Sequence, residues 1–435
     1  MLFGVAKEII TPVNPTRIAC CGGYRDVYHT IHDDVYVRTL VLEEGGKKVA
    51  FMVFDILFHD RSLNDALEAY AQSAYGIEPG GLLITYTHAH TSPVTRGYCR
   101  GVEDDAYELF LVERAKCCLD RAMGVMVPGT LELGTFDADF NISRRGIVNG
   151  KYDIHPNFNY EHDTEFVVLC VRDEEEQLRS VFMNYACHPV FYPATGVMSG
   201  EFPARVCQYL DTAFYGCVSM FSQSDGGDVR PRPTVVQDEN GDYVFNSRDF
   251  ATVDAFAADI SKAVAEFIRN GGCKKVELDQ PWACAAFTME LPMEPAPFEY
   301  FQKMAEVFQN DEGIFKRNTT YIVNGGYEEM SDILPVRSQI VRLSSDLYIA
   351  TMGGEPCYGV KKAVLAAFGG HKVIFIGYTD DCAYLVDDVL LEEGGYEPSA
   401  YLEYCLKGPL KAGVTELYTK YYAQARAALP EKDSR

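Results

Sequence analysis

Histidine side chains follow apolar runs at two separate points of the chain, and imidazole is a common metal ligand. His88 and His90 form an HxH pattern directly after the apolar run 82–86, and His188 follows the run 181–185. On an extended strand, residues two apart place their side chains on one face. Two histidines and a carboxylate, with a fourth position open to water or substrate, are typical of catalytic zinc. This spacing therefore predicts a metal site.

Three further apolar runs end in glycine and acidic residues. They are 218–221 before the segment 222–228, 347–350 before Gly353-Gly354-Glu355, and 373–376 before Asp380-Asp381. Open α/β sheets carry their sites beyond the carboxyl ends of their strands. Glycines there let the chain turn sharply. Glu355 precedes Pro356, a residue favoured at the first helical position, which predicts a carboxylate at a helix N-terminus. The five strand ends together predict one site, with a metal held by His88, His188 and Glu355.

Each of these residues also has an ordinary structural interpretation. A buried histidine is more often hydrogen bonded in a core than bound to a metal, and Glu355 could simply cap a helix. Asp380 and Asp381 have carboxylates for a second metal or for substrate hydroxyls, and a turn role fits them equally well. His32, next to two aspartates, is expected to be structural or to contact substrate.

Strands and helices alternate along the chain. Hydrophobic periodicity predicts helices over 63–74, 104–123, 205–214, 253–268, 357–368 and 417–427. It predicts strands over 35–42, 49–55, 82–86, 166–171, 181–186, 218–221, 347–352 and 373–376. Such interleaving predicts an α/β fold with mixed β-sheets and flanking helices. No repeat or low-complexity linker divides the chain, so residues 1–435 are expected to form a single domain.

The composition excludes several classes of protein. The 435 residues include 39 Lys plus Arg against 63 Asp plus Glu, a net charge of -24. Nucleic-acid binding and stable membrane association both need basic surfaces, so neither is expected. The N-terminus has no basic region followed by a long apolar one, which predicts no signal peptide. The 14 cysteines lack zinc-finger spacing and fit a reducing compartment. We expect a cytoplasmic protein whose partner is a small molecule; the sequence carries no signal for an oligomeric state.

Taken together, the motifs resemble the catalytic domain of the neutral (non-lysosomal) ceramidase family, whose members are zinc-dependent amidases. The resemblance runs from about Phe3 to Tyr396. The segments that carry it are Gly4-Val5-Ala6-Lys7 with Ile10-Thr11-Pro12, His32-Asp33 with Tyr36 and Arg38, Thr87-His88-Ala89-His90, Asn184-Tyr185-Ala186-Cys187-His188-Pro189, and Gly354-Glu355.

The resemblance implies a Zn²⁺ cofactor and assigns it four ligands. These are His88, His188, Glu355 and Tyr384, the last matched at a spacing one residue shorter than the family pattern. By the same resemblance, His90 is the neighbour that hydrogen-bonds the reacting oxygen.

Further residues are implied around the metal. Tyr396 resembles a second active-site tyrosine, and Asn141 with Arg145 resembles a block that contacts substrate. The acidic Asp225 and Asp381 are expected on the substrate-binding rim. A rim of Tyr, Asp and Arg suits a small polar substrate.

One position departs from the family. Gly227-Asp228-Val229 is followed by Arg230, where the ceramidases have the serine regarded as catalytic. Arginine cannot be a nucleophile at neutral pH, so Asp228 and Arg230 are expected in the site as a carboxylate and a fixed cation. The prediction is a zinc hydrolase that cleaves an amide of a small soluble substrate through zinc-activated water. A glycosidase, an esterase, or a binding protein that kept the zinc pocket are the alternatives.

Overall fold

The structure is a computed structural model that describes residues 1–20, 23–97, 104–193, 196–311, 313–380 and 383–430. Its α-helices, numbered α1 to α11 in chain order, are Arg61–Tyr75, Asp105–Gly124, Glu201–Ala213, Phe250–Arg269, Phe298–Val307, Ile314–Tyr321, Tyr327–Glu329, Tyr358–Ala366, Asp388–Glu393, Tyr396–Ser399 and Val414–Ala428.

Its strands, numbered β1 to β24 in chain order, are Leu2–Ile9, Arg17–Cys20, Gly23–Val27, Thr30–Ile31, Tyr36–Glu44, Lys47–Phe54, Leu82–Tyr86, Val127–Asp137, Asn141–Val148, Lys151–Asn157, Glu165–Asp173, Leu178–Tyr185, Val197–Met198, Val218–Gln223, Val229–Pro231, Val235–Gln237, Tyr243–Phe245, Lys274–Lys275, Ala283–Pro292, Ile333–Arg342, Leu347–Met352, Glu355–Pro356, Lys372–Ile376 and Tyr384–Leu385. Short 3₁₀ turns lie at Gly226–Asp228, Arg232–Thr234 and Ala400–Leu402, and a π-helical turn lies at Ile322–Gly326.

Two mixed sheets form the centre of the molecule. The larger has the order β14-β12-β11-β8-β1-β5-β6-β7, with β18 added beside β8. Within it β12 and β14 are parallel, β6 and β7 are parallel, and the other pairs are antiparallel. The smaller sheet has the order β19-β20-β21-β23, with β21 and β23 parallel. The predicted α/β class with mixed sheets is confirmed.

The two sheets pack face to face and bury an apolar core between them. Phe51, Leu83 and Phe182 of the larger sheet meet Ile349 and Ile374 of the smaller one in that core. Since strand side chains alternate between faces, the outer faces are also apolar, and helices cover them. Helices α1 to α4 pack on the larger sheet, and α8 and α11 on the smaller. The result is four layers in the order helix, sheet, sheet, helix.

Helix α1 shows how local sequence produces these covering layers. Asp60 caps its N-terminus by accepting a hydrogen bond from the Ser62 amide, and Gly76 ends it in a left-handed conformation. Between the caps, Leu63 and Leu67 recur at helical spacing and are buried. The helix therefore has one apolar face, which packs on the sheet.

The two central sheets contain three parallel strand pairs, β12 with β14, β6 with β7, and β21 with β23. The carboxyl ends of these strands lie close together. The Tyr86 amide, at the end of β7, donates to the Tyr378 carbonyl beyond β23 at 3.0 Å. The Gly377 amide donates to the Gln223 carbonyl at the end of β14, also at 3.0 Å. These bonds join the ends of strands from both sheets, so polar residues that follow the strands are held close together.

A buried ion pair secures the start of the loop after β6. The Arg38 guanidinium donates to the Asp55 carboxylate at 2.5 Å, and both side chains are almost completely buried. The same carboxylate accepts the Tyr36 amide at 3.0 Å. Removing one partner of such a pair leaves the other charge buried without compensation.

We expect Asp55→Asn to lower the free energy of unfolding by about 3–5 kcal/mol, because it strands the Arg38 charge. Urea unfolding followed by circular dichroism measures the change. Glu44→Gln is the matched control: this carboxylate pairs with the N-terminus at the surface, and its loss should change stability by no more than about 0.5 kcal/mol. Equal effects of the two substitutions would contradict the assignment.

Candidate metal centre

Three buried histidines form the centre of the site. The Nε2 atoms of His88 and His188 are 3.1 Å apart, those of His88 and His90 are 3.1 Å apart, and those of His90 and His188 are 3.0 Å apart. All three side chains are buried. Within the described residues, their ligand atoms all lie within 4.8 Å of one another, close enough to hold one metal ion. The strand ends of β7 and β12 thus place three imidazoles around one point.

Backbone carbonyls set the tautomers of two of these rings. The Nδ1–H of His88 donates to the Leu57 carbonyl, and that of His188 donates to the Gly226 carbonyl, each at 3.2 Å. A carbonyl can only accept, so Nδ1 carries the proton and the Nε2 lone pair faces the other rings. Burial and the neighbouring His88 lower the pKa of His188 well below its usual value, which also favours the neutral ring.

The backbone at His88 differs from the sequence-based expectation. Strand β7 ends at Tyr86, and His88 has a left-handed conformation with φ of 65°. The two rings of the HxH pattern therefore converge through a tight turn, and the argument from strand alternation is wrong. Non-glycine residues adopt this conformation at a cost that the surrounding structure must offset. Here the His88 amide donates to the Ile56 carbonyl at 3.0 Å.

Glu355 lies directly beside the three rings. Its Oε2 atom is 3.4 Å from Nε2 of His88 and 3.7 Å from Nδ1 of His188. The Tyr404 hydroxyl donates to its Oε1 atom at 2.5 Å. Tyr404 has no motif around it, and the sequence analysis missed it.

The environment of Glu355 corrects another expectation. Glu355 and Pro356 form the short strand β22, and helix α8 begins only at Tyr358. Proline fits here because the ladder with β24 uses the amides on either side of it: Glu355 donates to Ala383 and Cys357 donates to Leu385. The carboxylate is therefore positioned by strand pairing, and the helix N-terminus does not carry it.

The same ladder places Tyr384 opposite Glu355, since the two are register partners. Tyr384 is buried with its ring 5.1 Å below the Arg144 guanidinium. Burial raises the pKa of Tyr384 well above its usual value, so the phenol is protonated. Tyr396, twelve positions on, also packs against Arg144, and its hydroxyl donates to Glu403 at 2.7 Å.

Arg145 belongs to an internal ion-pair network. Its guanidinium donates to Glu397 at 2.7 Å and to Glu393 at 3.1 Å, while Arg144 donates to the other oxygen of Glu397 at 2.8 Å. These pairs attach the segment that carries Tyr396 to β9. The Arg145 guanidinium is therefore bound to carboxylates of the protein itself.

Asn141 and Asp225 belong to a buried polar network next to His188. The Asn141 amide donates to the carbonyls of Asp163 and Ala186 at 2.7 and 2.6 Å. Lys361 is buried with its Nζ atom 2.6 Å from Asp163 and 3.6 Å from Asp225. Burial and the adjacent Asp163 carboxylate raise the pKa of Asp225. The network positions the residue that precedes Gly226, whose carbonyl orients His188.

Asp228 and Arg230 occupy the turn and strand after this network. Asp228 is buried and accepts the Tyr358 amide at the start of α8, with both oxygens at 3.3 Å. Burial and the charge of Glu397 raise the pKa of Asp228 to about 7. Arg230 is half-buried in β15, with its guanidinium 5.0 Å from the Phe245 ring. Its charge is among those that lower the pKa of His188.

The remaining candidates lie at the edge of the site or outside it. Asp381 lies outside the described residues. Asp380 is buried and lines the cavity described below. His32 stacks on Phe250 and pairs with Asp33 at 2.8 Å, away from the three rings. Asp33 in turn accepts the Gly200 amide at 3.1 Å, which gives this motif a structural role.

A cavity of about 720 Å³ adjoins the centre. Phe58, Gly354 and Tyr404 are among the residues that line it. The Phe58 ring lies 4.6 Å from the His88 ring, Gly354 precedes Glu355, and Tyr404 bonds to Glu355. Substrate in this cavity would approach the three histidines from the side of Glu355.

The donor set fits a zinc ion. Zn–N distances of about 2.0–2.1 Å in a tetrahedral site place ligand nitrogens about 3.3 Å apart, and the three Nε2 atoms lie 3.0–3.1 Å apart. Imidazole lone pairs that converge at this distance repel one another unless a proton or a cation lies between them. Glu355 adds a carboxylate at the same point. His88, His90, His188 and Glu355 are therefore the residues that would hold the metal. His90 was expected as a neighbour of the metal, and Tyr384, expected as the fourth ligand, pairs with Glu355 in the next strand and stays a prediction.

Comparison with solved structures identifies the fold. The chain matches the neutral ceramidase from Pseudomonas aeruginosa with a TM-score of 0.71 at 15% sequence identity, covering 100% of this chain and 76% of the other. A ceramidase complexed with C2 matches with the same TM-score and coverage at 16% identity. No family model and no curated protein sequence matches the chain. The protein has a ceramidase-like fold, as the sequence motifs predicted.

Across the described part of the chain, no helix combines the length and the apolar character of a membrane-spanning segment.

We expect the protein, reconstituted with Zn²⁺, to bind about one ion per chain, because three imidazoles and a carboxylate converge on one point. His88→Ala, His90→Ala and His188→Ala should each lower zinc affinity by at least tenfold. Calorimetric titration of the metal-free protein with zinc measures this, and far-ultraviolet circular dichroism checks folding.

His371→Ala is the matched control, since His371 is a half-exposed histidine paired with Asp346 away from the centre. Its zinc affinity should be unchanged. Unaltered zinc binding in the three cluster variants would show that the ion binds elsewhere. Loss in His88→Ala and His188→Ala alone would make His90 a neighbour of the metal and not a ligand.

Proposed function

We propose that this protein is a zinc-dependent hydrolase that cleaves an amide bond of a small, soluble, polar substrate. The observation that carries the proposal is the triangle of buried Nε2 atoms next to Glu355. A cavity large enough for a small molecule lies beside it, and its lining residues Phe58 and Tyr404 contact His88 and Glu355. A zinc ion held there would polarise the scissile carbonyl and activate water.

The chain's own residues have distinct roles in this proposal. Tyr404 lines the cavity and donates to Glu355, one of the residues that would hold the metal. Its hydroxyl can orient the scissile group and exchange a proton with it. The protonated phenol of Tyr384 and the guanidinium of Arg144 lie behind Glu355. Both can stabilise negative charge that develops on the substrate in a site from which water is largely excluded.

The proposed substrate class rests on the charged residues in the lining of the cavity. Its lining includes four arginines, Arg61, Arg96, Arg317 and Arg337, and three carboxylates, Asp60, Asp380 and Glu403. A long-chain lipid amide would place apolar chains against these charges, at a considerable desolvation cost. Ceramide, the substrate named for the solved structures of this fold, is therefore not the substrate proposed here.

The thiols support a reducing, cytoplasmic environment as part of the same proposal. Most of the described cysteines are free and buried, among them Cys187 and Cys357 next to the centre. Buried thiols of this kind act as small apolar side chains and persist where disulfides do not form.

We expect the zinc-loaded protein to hydrolyse members of a panel of soluble N-acyl amino acids and N-acyl amino sugars, and not short-chain ceramide. Mass spectrometry of the released products measures cleavage, and esters and glycosides in the same panel separate the bond classes. His188→Ala should abolish activity, while His371→Ala should retain it.

The outcomes separate the proposed function from its alternatives. Cleavage of esters or glycosides alone would assign a different bond class to the same centre. Zinc binding without turnover of any member would identify a binding protein. Robust cleavage of ceramide that depends on His188 would overturn the proposed substrate class.

We further expect hydrolysis without a covalent intermediate, because Arg230 stays protonated and cannot attack the substrate. Intact-mass spectrometry of protein quenched during turnover of the best substrate should show no added acyl group. Arg230→Ser should not increase turnover. Arg232→Ser, at an exposed arginine two positions on that pairs with Asp139, is the control. An acyl group on any side chain would overturn this mechanism.

A further inference from the structure

The cavity next to the metal centre is rich in arginine, although the chain as a whole is strongly acidic. Acidic residues outnumber basic ones 63 to 39 in the sequence, whereas the cavity lining has more arginines than carboxylates. The arginines are Arg61, Arg96, Arg317 and Arg337, and the carboxylates are Asp60, Asp380 and Glu403. Such a local reversal of charge favours an anionic ligand.

Two of the lining carboxylates are engaged by neighbouring groups. Asp60 caps α1 through the Ser62 amide and lies 3.3 Å from the His59 ring nitrogen. Glu403 accepts the Tyr396 hydroxyl at 2.7 Å. The third lining carboxylate, Asp380, is buried. Arg61, Arg96 and Arg337 are in turn paired with carboxylates outside the lining, so the wall partly balances the lining charges of both signs.

The guanidinium groups are fixed in place by contacts outside the cavity lining. Arg337 extends from β20 and donates to Asp65 at 3.1 Å and to Glu68, both on α1. Arg317, on α6, lies 5.0 Å from the centre of the Tyr24 ring, which orients its plane. Arg96 donates to Asp105 at 2.8 Å at the rim. A rigid guanidinium plane suits bidentate binding of an oxyanion.

These arginines share one cavity with the residues that touch the metal centre. Tyr404 lines the same space and donates to Glu355 at 2.5 Å. Asn318, on the same helix as Arg317, donates to the carbonyls of Leu402 and Glu403 at 2.9 and 2.7 Å. Helix α6 is thereby tied to the segment that carries Tyr404, and the anion-binding side and the reaction side are built as one unit.

We propose that the substrate carries an anionic oxygen group, a carboxylate or a phosphate, which Arg317 and Arg96 bind while the scissile bond lies next to Tyr404 and Glu355. This inference rests on the proposed hydrolase function and names the substrate class more closely. N-acyl amino acids, and amides that carry a phosphate ester, have the required chemistry. The volume of about 720 Å³ is sufficient for either.

The test measures binding, so that it does not depend on turnover. Isothermal titration of the zinc-loaded full chain compares N-acetylglycine with its neutral counterpart N-acetylglycinamide, and N-acetylethanolamine phosphate with N-acetylethanolamine. Inorganic phosphate is titrated separately. We expect the anionic member of at least one pair to bind about tenfold or more tightly than the neutral one. The pair that shows the difference identifies the carboxylate or the phosphate as the anion.

Two variants locate the binding groups. Arg317→Gln and Arg96→Gln should each reduce the preference for the anion about tenfold and leave the neutral compound unaffected. Lys316→Gln is the matched control, because Lys316 is an exposed cation on the same helix that does not line the cavity. It should preserve the preference. Thermal melting checks that all three variants are folded.

The results distinguish this inference from the proposed function. Charge-dependent binding that is lost in the arginine variants, without hydrolysis of any compound, would support the anion site and overturn the hydrolase. Equal binding of charged and neutral compounds would overturn the anion site. A preference that persists in both arginine variants would place the anion on the metal itself and would also overturn it.

Discussion

The convergence of three imidazole Nε2 atoms on one buried point is the constraint on which the rest of this structure depends. The Nε2 atoms of His88, His90 and His188 approach to 3.0–3.1 Å, a separation at which lone pairs without a proton or cation between them repel. The carbonyls of Leu57 and Gly226 nevertheless hold two of the rings in this orientation. Such an arrangement persists only if the scaffold is rigid, and it becomes favourable when a cation binds.

The rigidity comes from close backbone packing at the strand ends, at positions where any residue larger than glycine would clash. A Cβ atom added at Gly227 would lie 2.8 Å from the Glu355 carbonyl oxygen, so the turn after β14 rests directly on β22. Gly354 has φ of 79°, a conformation that glycine adopts without strain. Glycines at these strand ends therefore allow two backbone segments to pack directly against each other. Side chains, and not these glycines, would contact a ligand.

Buried arginines lie in the interior of this acidic protein, together with buried carboxylates. Arg38, Arg144 and Arg145 are among the largest fully buried side chains, and each is paired with a buried carboxylate. Burying such pairs contributes little net stability, but separating them is costly, so they hold loops in a single arrangement. The same cations favour negative charge in the site, as the transition state of the proposed hydrolysis would require.

Periodic patterns in the sequence were sufficient for the elements that have one buried face. The hairpin of β5 and β6, helices α1 to α4, α8 and α11, and the strands that lead into the site were predicted to within a few residues, because burial of one face repeats at the period of each element. The strands β8, β9, β10, β19 and β20 and the helices α5 to α7 were missed. Strands such as β19 mix buried and exposed positions irregularly, and no period marks them.

The sequence by itself determined which side chains are suited to bind a metal, and tertiary structure alone decided how they meet. His88, His188 and Glu355 could be selected from their residue types and motifs, since a metal needs such donors. The placement of His90 within the triangle depends on the left-handed turn at His88, and the hydrogen bond from Tyr404 to Glu355 depends on how a distant segment packs. Both arise from contacts between parts of the chain far apart in sequence, which no local pattern encodes.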